Sequence, residues 1–167
     1  MKEVSYKEVA HEIHAQLEKG AFLNVKDKDG NANTMTISWG NMGVMWFKPV
    51  FTVMVRYSRY TYELLQNAED FTVSFPIKGQ FKDELAFCGS KSGRDFDKFE
   101  ELNLKIKDGK NVKSPILSDC DINLECKIIC RQPLDTTGFD DYVHGVYGET
   151  KDYHVLFTGE IVSCLVK

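Results

Sequence analysis

The sequence predicts a mainly β fold, an antiparallel sheet or barrel with helices at its periphery. Three observations carry this. Short β-prone segments recur along the chain and are joined by hairpin-like connections. Helical patterns are few and short. The strand-then-helix rhythm of a doubly wound parallel sheet is missing, and so is any Gly-x-Gly-x-x-Gly turn, which argues against a nicotinamide-binding Rossmann domain.

The elements follow in order. Ser5 and Glu8 have the spacing of a capping box, Val9, Ile13 and Leu17 make an apolar stripe, and Gly20 stands where a helix would stop, so residues 5–19 read as an amphipathic helix. Ala21 to Val25 is a strand, Asp27 to Asn31 a turn cluster, and Asn33 to Trp39 the return strand. Val44 to Phe47 is apolar, Lys48-Pro49 interrupts it, and Val50 to Arg56 is strongly β-prone. Ser58 or Thr61 would cap a helix running to about Asn67. Phe71 to Phe75 is a strand stopped by Pro76. Phe81 to Cys88 and Asp95 to Leu102 read as short helices. Ile122, Leu124, Cys126, Ile128 and Cys130 alternate with polar residues, the mark of a half-buried strand with both cysteines on its inner face. Val143 to Gly148 reads as a weaker strand, and Tyr153 to Phe157 with Glu160 to Val166 as one long strand or two short ones.

With 167 residues, no internal repeat and no linker, a single domain over 1–167 is expected. A chain of this length buries roughly two-thirds of its unfolded surface and needs no disulfide or metal to fold. A net charge of −4 and a pI of about 5.6 argue against general nucleic-acid binding. No apolar run reaches the ~18 residues of a membrane span, and Met1 to Glu8 has no secretory apolar core, so a cytoplasmic protein with no membrane partner is expected. Cysteines 88, 120, 126, 130 and 164 contain no Cys-x-x-Cys pair and read as reduced thiols. Cys126 and Cys130 fill core rather than ligate metal.

Three stretches could carry chemistry. Arg56-Tyr57-Ser58-Arg59-Tyr60-Thr61 lies between a strand and a helix. Two guanidiniums and several hydroxyls meet unpaired helix amides there, which is the composition of a phosphate site. It is equally that of a capped surface helix with solvated arginines. Cys88 to Phe99 holds glycines, serines and cations that could wrap an anion or simply connect elements. Asn33 to Gly40 alternates hydroxyl and apolar residues. Such a strand end offers backbone groups to a flat heterocycle, or is an ordinary strand with Trp39 in the core.

Taken together these blocks resemble the flavin reductase-like group of FMN-binding split barrels, near its flavoredoxin branch. The resemblance rests on Asn33-x-Met35-Thr36-x-Ser38-Trp39, Lys48-Pro49, Arg56-x-Ser58-Arg59-Tyr60-Thr61, Phe71-x-Val73-Ser74-Phe75-Pro76, Cys88-Gly89-x-x-Ser92-Gly93-Arg94-Asp95-x-Asp97-Lys98-Phe99 and His154-x-x-Phe157-x-Gly159-Glu160. The blocks keep the family's order from about residue 20 to the C-terminus. The resemblance implies a six-stranded antiparallel Greek-key split barrel with peripheral helices, working as a homodimer with FMN near the interface. It also implies roles. Met35, Thr36, Ile37, Ser38 and Trp39 would line the isoalloxazine, largely through backbone. Ser58, Arg59, Tyr60 and Thr61, helped by Arg56, would hold the phosphate, and Cys88, Gly89, Ser92 and Lys98 would close over it.

The activity it implies is an oxidoreductase passing electrons from NAD(P)H or a reduced protein through FMN to an acceptor. Alternatives are a non-enzymatic FMN-binding electron carrier reduced by a protein partner, and a related barrel holding haem or pyridoxal phosphate. Flavin itself supplies the redox chemistry, which fits the absence of any nucleophile motif or triad. His154 falls in a matching block and is a candidate near flavin or substrate, or a structural histidine. His11, His14 and the acidic residues Asp140, Asp141, Glu149 and Asp152 read as solvated, so no metal site is expected.

Overall fold

The computed structural model describes residues 1–167. After the two-residue strand β1 (Lys2–Glu3), the capping box forms as predicted: Ser5 N–H donates to Glu8 Oε1 at 3.0 Å. The predicted single helix is divided. Tyr6–Val9 is a 3-10 turn and α1 is Ala10–Leu17, which buries Ile13, Gln16 and Leu17. Strands β2 (Ala21–Lys26) and β3 (Ala32–Ile37) form a hairpin. Asp27 Oδ1 holds its turn by accepting the Asp29 and Asn31 amides at 3.0 and 2.9 Å. Then come β4 (Gly40–Met45), β5 (Lys48–Arg56), α2 (Tyr60–Asn67), β6 (Asp70–Phe75), α3 (Lys82–Ser90) and α4 (Lys98–Glu101). The remainder is β7 (Ile106–Lys107), β8 (Ile116–Leu117), β9 (Ile122–Pro133), α5 (Asp141–Tyr147) and β10 (His154–Val166). No helix is long and apolar enough to cross a membrane.

The main sheet runs β3-β2-β6-β9-β10-β5-β4, every pairing antiparallel, with β1 added to β10. It holds eight strands, because β4 and the short β1 join the six expected. Its outermost strands are consecutive in the chain, separated by Ser38 and Trp39 alone. In a flat sheet β3 and β4 would lie about 29 Å apart. Three residues span at most about 11 Å. The sheet must therefore curl until its edges nearly meet, which makes a split barrel. One kink is visible in β10, where the register with β9 shifts between Thr158 and Gly159. A Cβ at Gly159 would lie 2.7 Å from Cys126 Cβ and 2.8 Å from the Phe71 ring, so only glycine allows this approach.

The barrel interior is filled by Leu23, Val25, Phe51, Phe71, Phe75, Leu124 and Phe157 with their neighbours. A second core lies outside the barrel wall. Phe22, on the opposite face of β2, packs with Leu85 and Cys88 of α3, Phe99 of α4, and Leu104, Leu117 and Cys120. This core seats α3 and α4 beside β3 and so positions the loop between them.

Three expectations differ. The apolar run Val44 to Phe47 is exposed rather than buried: Val44 and Met45 end β4, and Trp46 and Phe47 form the two-residue turn of the β4–β5 hairpin with φ of 49° and 60°. Val143 to Gly148 is helical. Asp140 caps α5 by accepting the Val143 amide at 2.9 Å, and the local bonding outweighs the β preference of valine and tyrosine. The first half of β9 is buried on both faces, because the 110–114 loop covers its polar side and Glu125 accepts the Lys110 and Asn111 amides at 2.6 and 2.9 Å. The C-terminal pattern resolves as one long strand, β10.

Candidate functional site

Two cavities that share Met35 and Arg59 make one trough along the C-terminal half of β3. The first, about 100 Å³, is bounded by the β5–α2 turn (Ser58 to Thr61), by Asn33 and Met35, and by the loop from Cys88 to Arg94 with Lys98. The second, about 200 Å³, is bounded by Met35 to Trp39, Met54, Arg56, Arg59 and His154.

Lys98 dominates the first cavity. It opens α4, next to Asp97, whose carboxylate accepts the Phe99 and Glu100 amides. Only 3% of Lys98 is exposed. Its ammonium donates to the Thr34 and Cys88 carbonyls, both at 3.0 Å, and meets no carboxylate. Burial, with Arg59 nearby, holds it below the ordinary lysine range. An ammonium has three donors, so one remains for a ligand. Facing it, α2 begins at Tyr60 with Arg59 in the capping position, and no side chain caps it. Neither Ser58 nor Thr61 is the cap; the Tyr60 and Thr61 amides stay open, while that of Tyr62 donates to the Arg59 carbonyl at 2.9 Å. Thr61 Oγ1 accepts from Asn33 Nδ2 at 2.8 Å. The loop passes so close that a Cβ at Gly93 would lie 2.2 Å from Asn33 Oδ1 and 2.8 Å from the Tyr60 ring.

The structure redistributes several predicted residues. Arg56 does not join the phosphate cavity. It lines the second one, donates to the Asp152 carbonyl at 2.9 Å, and its guanidinium lies 5.1 Å from the Tyr147 ring centre. Ser58 lines the first cavity, but its hydroxyl and amide are both taken by the Asp152 carboxylate, at 2.6 and 3.1 Å. Arg94, which spacing did not single out, donates to the Ser58 carbonyl, pairs with Glu63 and lies over the Tyr60 ring. Arg59 is exposed, has no partner and borders both cavities. Cys88 contributes its carbonyl, while burial pushes its thiol up to about 11. Both Gly89 and Ser92 line the cavity, but Gly89 lies in the last turn of α3 rather than in a loop, while Ser92 is in the loop that follows, its Oγ accepting the Arg94 amide.

At the second cavity, Thr36 donates to the Leu85 carbonyl at 2.6 Å, and Ile37 is buried in the barrel. These two positions border the cavity chiefly by backbone. Trp39 is 43% exposed rather than core, and its ring lies 5.1 Å from that of His154. His154, buried on β10 opposite Arg56, sits 2.8 Å through Nδ1 from the Tyr147 hydroxyl. Burial, then the Arg56 charge, depresses it to about 4, so the imidazole is neutral at physiological pH. Sequence reasoning missed Met54, which shares the Arg56 face of β5 by simple alternation. It also missed Tyr147 and Asp152, which come from the segment between β9 and β10 and carried no local signal. His11 and His14 are exposed on α1, far in sequence from any of this.

A curled antiparallel sheet whose trough has Lys98 and Arg59 at one end and Trp39, His154 and Arg56 at the other defines a split barrel. Residues 18–167 match the family described as flavin reductase like domain, and the chain belongs to that family. It is 32% identical over 131 residues to an uncharacterized protein of Archaeoglobus fulgidus, covering 78% of this chain. This chain spans only 63% of that relative's length. Among solved structures, it is similar to the flavoredoxin of Methanosarcina acetivorans, with 26% identity, a TM-score of 0.69, and coverage of 89% of this chain and 68% of that one. It also shares its fold with an FMN-binding protein of Thermus thermophilus solved with p-hydroxybenzaldehyde, at 23% identity, a TM-score of 0.68, and coverage of 89% and 71%.

Proposed function

We propose that this chain is an FMN-binding oxidoreductase that takes electrons from NAD(P)H or a reduced protein and delivers them to an acceptor. The observation that carries the reading is Lys98, a buried ammonium with no carboxylate partner, facing an uncapped helix start. A buried cation without a counter-charge is costly, and a phosphate supplies the missing anion. Gly93 lets the loop after α3 close against Asn33 and Tyr60, which walls the cationic cavity. Met35 to Trp39 offer a shelf for the ring.

Bound FMN would supply the redox chemistry. The protein's own residues do the rest. Lys98, Arg59 and the first amides of α2 hold the phosphate, and Ser58, Tyr60, Thr61, Cys88, Gly89 and Ser92 shape its well. Backbone of residues 35–39 orients the ring, Trp39 and Met54 limit water, and Arg56 and His154 border it. Absorbance and fluorescence titration with FMN tests this. Quenching that saturates near one FMN per chain is expected, and no quenching at any concentration overturns the reading.

The carrier alternative is favoured by one feature. At the end of the β4–β5 hairpin far from Trp39 and Met54, Val44, Met45, Trp46 and Phe47 present an exposed apolar tip, as a macromolecular contact would. Rapid mixing with NADH and NADPH separates the two: fast bleaching of bound flavin gives a reductase, none gives a carrier reduced by a protein. The same tip supports a homodimer. Sedimentation should show a dimer that Phe47→Asp dissociates, and a monomeric wild type would refute it. The five free cysteines, four of them buried, support a reducing cytoplasm as its compartment.

A further inference from the structure

We propose that the Tyr147 hydroxyl fixes His154 as a neutral imidazole with its proton on Nε2, creating one hydrogen-bond donor at the ring end of the trough for a carbonyl oxygen. That oxygen belongs either to the flavin or to a reactant stacked on it. The first half of the proposal concerns the chain alone. The second rests on the FMN reading above.

Tyr147 and His154 are 6% and 7% exposed, and Tyr147 Oη lies 2.8 Å from His154 Nδ1. No other partner meets the phenol. If Nδ1 carried the proton, the Tyr147 O–H would donate to nothing inside the protein, an arrangement that buried groups avoid. If the phenol donates, Nδ1 accepts and the imidazole proton sits on Nε2. That nitrogen makes no hydrogen bond within the protein, and His154 lines the ring cavity beside Trp39. Nε2–H is therefore the donor left for a ligand.

The surroundings support a neutral ring. Burial disfavours an imidazolium most and Arg56 next; Asp152 opposes them, and Arg59 adds a smaller push toward the neutral ring. Tyr147 itself is firmly held. Phe139 stacks on it at 5.9 Å, Tyr153 meets it edge-on at 4.9 Å, and the Arg56 guanidinium covers its ring. The segment between β9 and β10 thus supplies a positioning residue, acting through His154 rather than touching the ligand. A neutral donor suits a carbonyl oxygen, whereas an imidazolium would suit a carboxylate or phosphate.

The test is long-range ¹H–¹⁵N correlation of the histidine ring nitrogens in the labelled full chain at neutral pH, first without FMN. The expected result is a protonated His154 Nε2 and an unprotonated Nδ1, with Tyr147→Phe shifting both resonances toward a tautomer mixture. A protonated Nδ1 in the wild type overturns the proposal, even if the variant fails to fold. An unchanged pattern in a folded Tyr147→Phe overturns it too. FMN is then added. A shift of Nε2–H on saturation assigns the carbonyl to the flavin, and a shift only after adding acetophenone assigns it to a reactant. No shift in either case, with FMN bound by fluorescence, overturns the donor role. If FMN does not bind at all, the functional reading fails, and the apo spectrum still decides the tautomer.

Discussion

Replacing Lys98 by Met removes the one buried ammonium while keeping a side chain of similar length. Its hydrogen bond to a phosphate would be charge-assisted and worth about 1.5–3 kcal/mol. FMN affinity should therefore fall about 10- to 150-fold. Riboflavin, the same ring without phosphate, should lose little. The preference for FMN over riboflavin shrinks by the factor by which FMN affinity falls, so a general distortion of the ring shelf is cancelled in the comparison. Stability without ligand should behave differently. The variant loses two charge-assisted hydrogen bonds, to the Thr34 and Cys88 carbonyls, each worth about 1.5–3 kcal/mol. It also escapes the cost of burying an unpaired cation, which is several kcal/mol. The two effects offset, so apo stability should change much less than affinity. There is also a pH signature. Because burial lowers the folded-state value, the unfolded chain binds more protons in the interval just below the ordinary lysine range. Wild-type stability thus gains there as pH rises, and the difference between wild type and Lys98→Met should show that slope. Fluorescence quenching with both ligands and urea unfolding of the apo forms are the assays. An unchanged FMN-to-riboflavin preference in a folded variant would refute the assignment of Lys98 to the phosphate.

Three further outcomes are expected. His154 is held at about 4 against an ordinary 6.5, so its contribution is fully present above pH 6.5 and is lost as pH falls toward 4. The full effect is about 3 kcal/mol. Urea unfolding between these limits should show the loss in wild type and not in His154→Gln, and parallel curves would sink the idea. In the β4–β5 turn, two aromatic residues occupy the left-handed region, where each costs roughly 1–2 kcal/mol. Trp46→Asn with Phe47→Gly should raise the stability of the monomeric chain by about 1–3 kcal/mol, measured at a concentration too low for association. A decrease would mean that the aromatics contribute packing within one chain. Cys88, buried and pushed up to about 11, should resist iodoacetamide in the native protein, and rapid labelling mapped to Cys88 by mass spectrometry would contradict its burial.

The sequence was most legible where local chemistry and burial agree. Asp27 to Asn31 is a turn by composition, and its Asp27 carboxylate collects the expected amides. The clustering of two distant blocks was legible too. Two separated blocks, 56–61 and 88–99, do converge on one cavity. Spacing could not say which cations face it. Arg56 is two residues from Ser58, yet strand register places it opposite His154, on the ring side. Asp152 claims Ser58 from across the fold, a pairing 94 residues apart that no local window contains. Val143 to Tyr147 was misread because valine and tyrosine favour strands, while the deciding residue, Asp140, lies before the window and acts as a cap. Trp46 and Phe47 reversed the usual inference from apolar to buried, since a two-residue hairpin turn forces both outward.

The trough separates two electrostatic tasks along a single strand. At Thr34, β3 gives its carbonyl to Lys98 and so fixes a positive charge at one end. A few residues later it reaches Trp39 beside His154, which burial and Arg56 keep uncharged. Strand geometry makes this workable, because about 3.3 Å per residue sets the ends about 16 Å apart, beyond the screening length of ordinary saline. Lys98 is thereby kept away from His154, while Arg59, which borders both cavities, adds only the last of the effects that depress that histidine, after burial and Arg56. Arg56 is the exception that matters. Tied to the Asp152 carbonyl and stacked on Tyr147, it is the fixed cation nearest the ring end, and it can stabilise negative charge developing there without a titrating group of its own. Under the proposed FMN reading Arg56 would lie where charge changes at the ring, and Arg56→Gln should then alter the flavin midpoint potential while leaving phosphate-dependent affinity in place. A potential unchanged in the folded variant would remove Arg56 from that role.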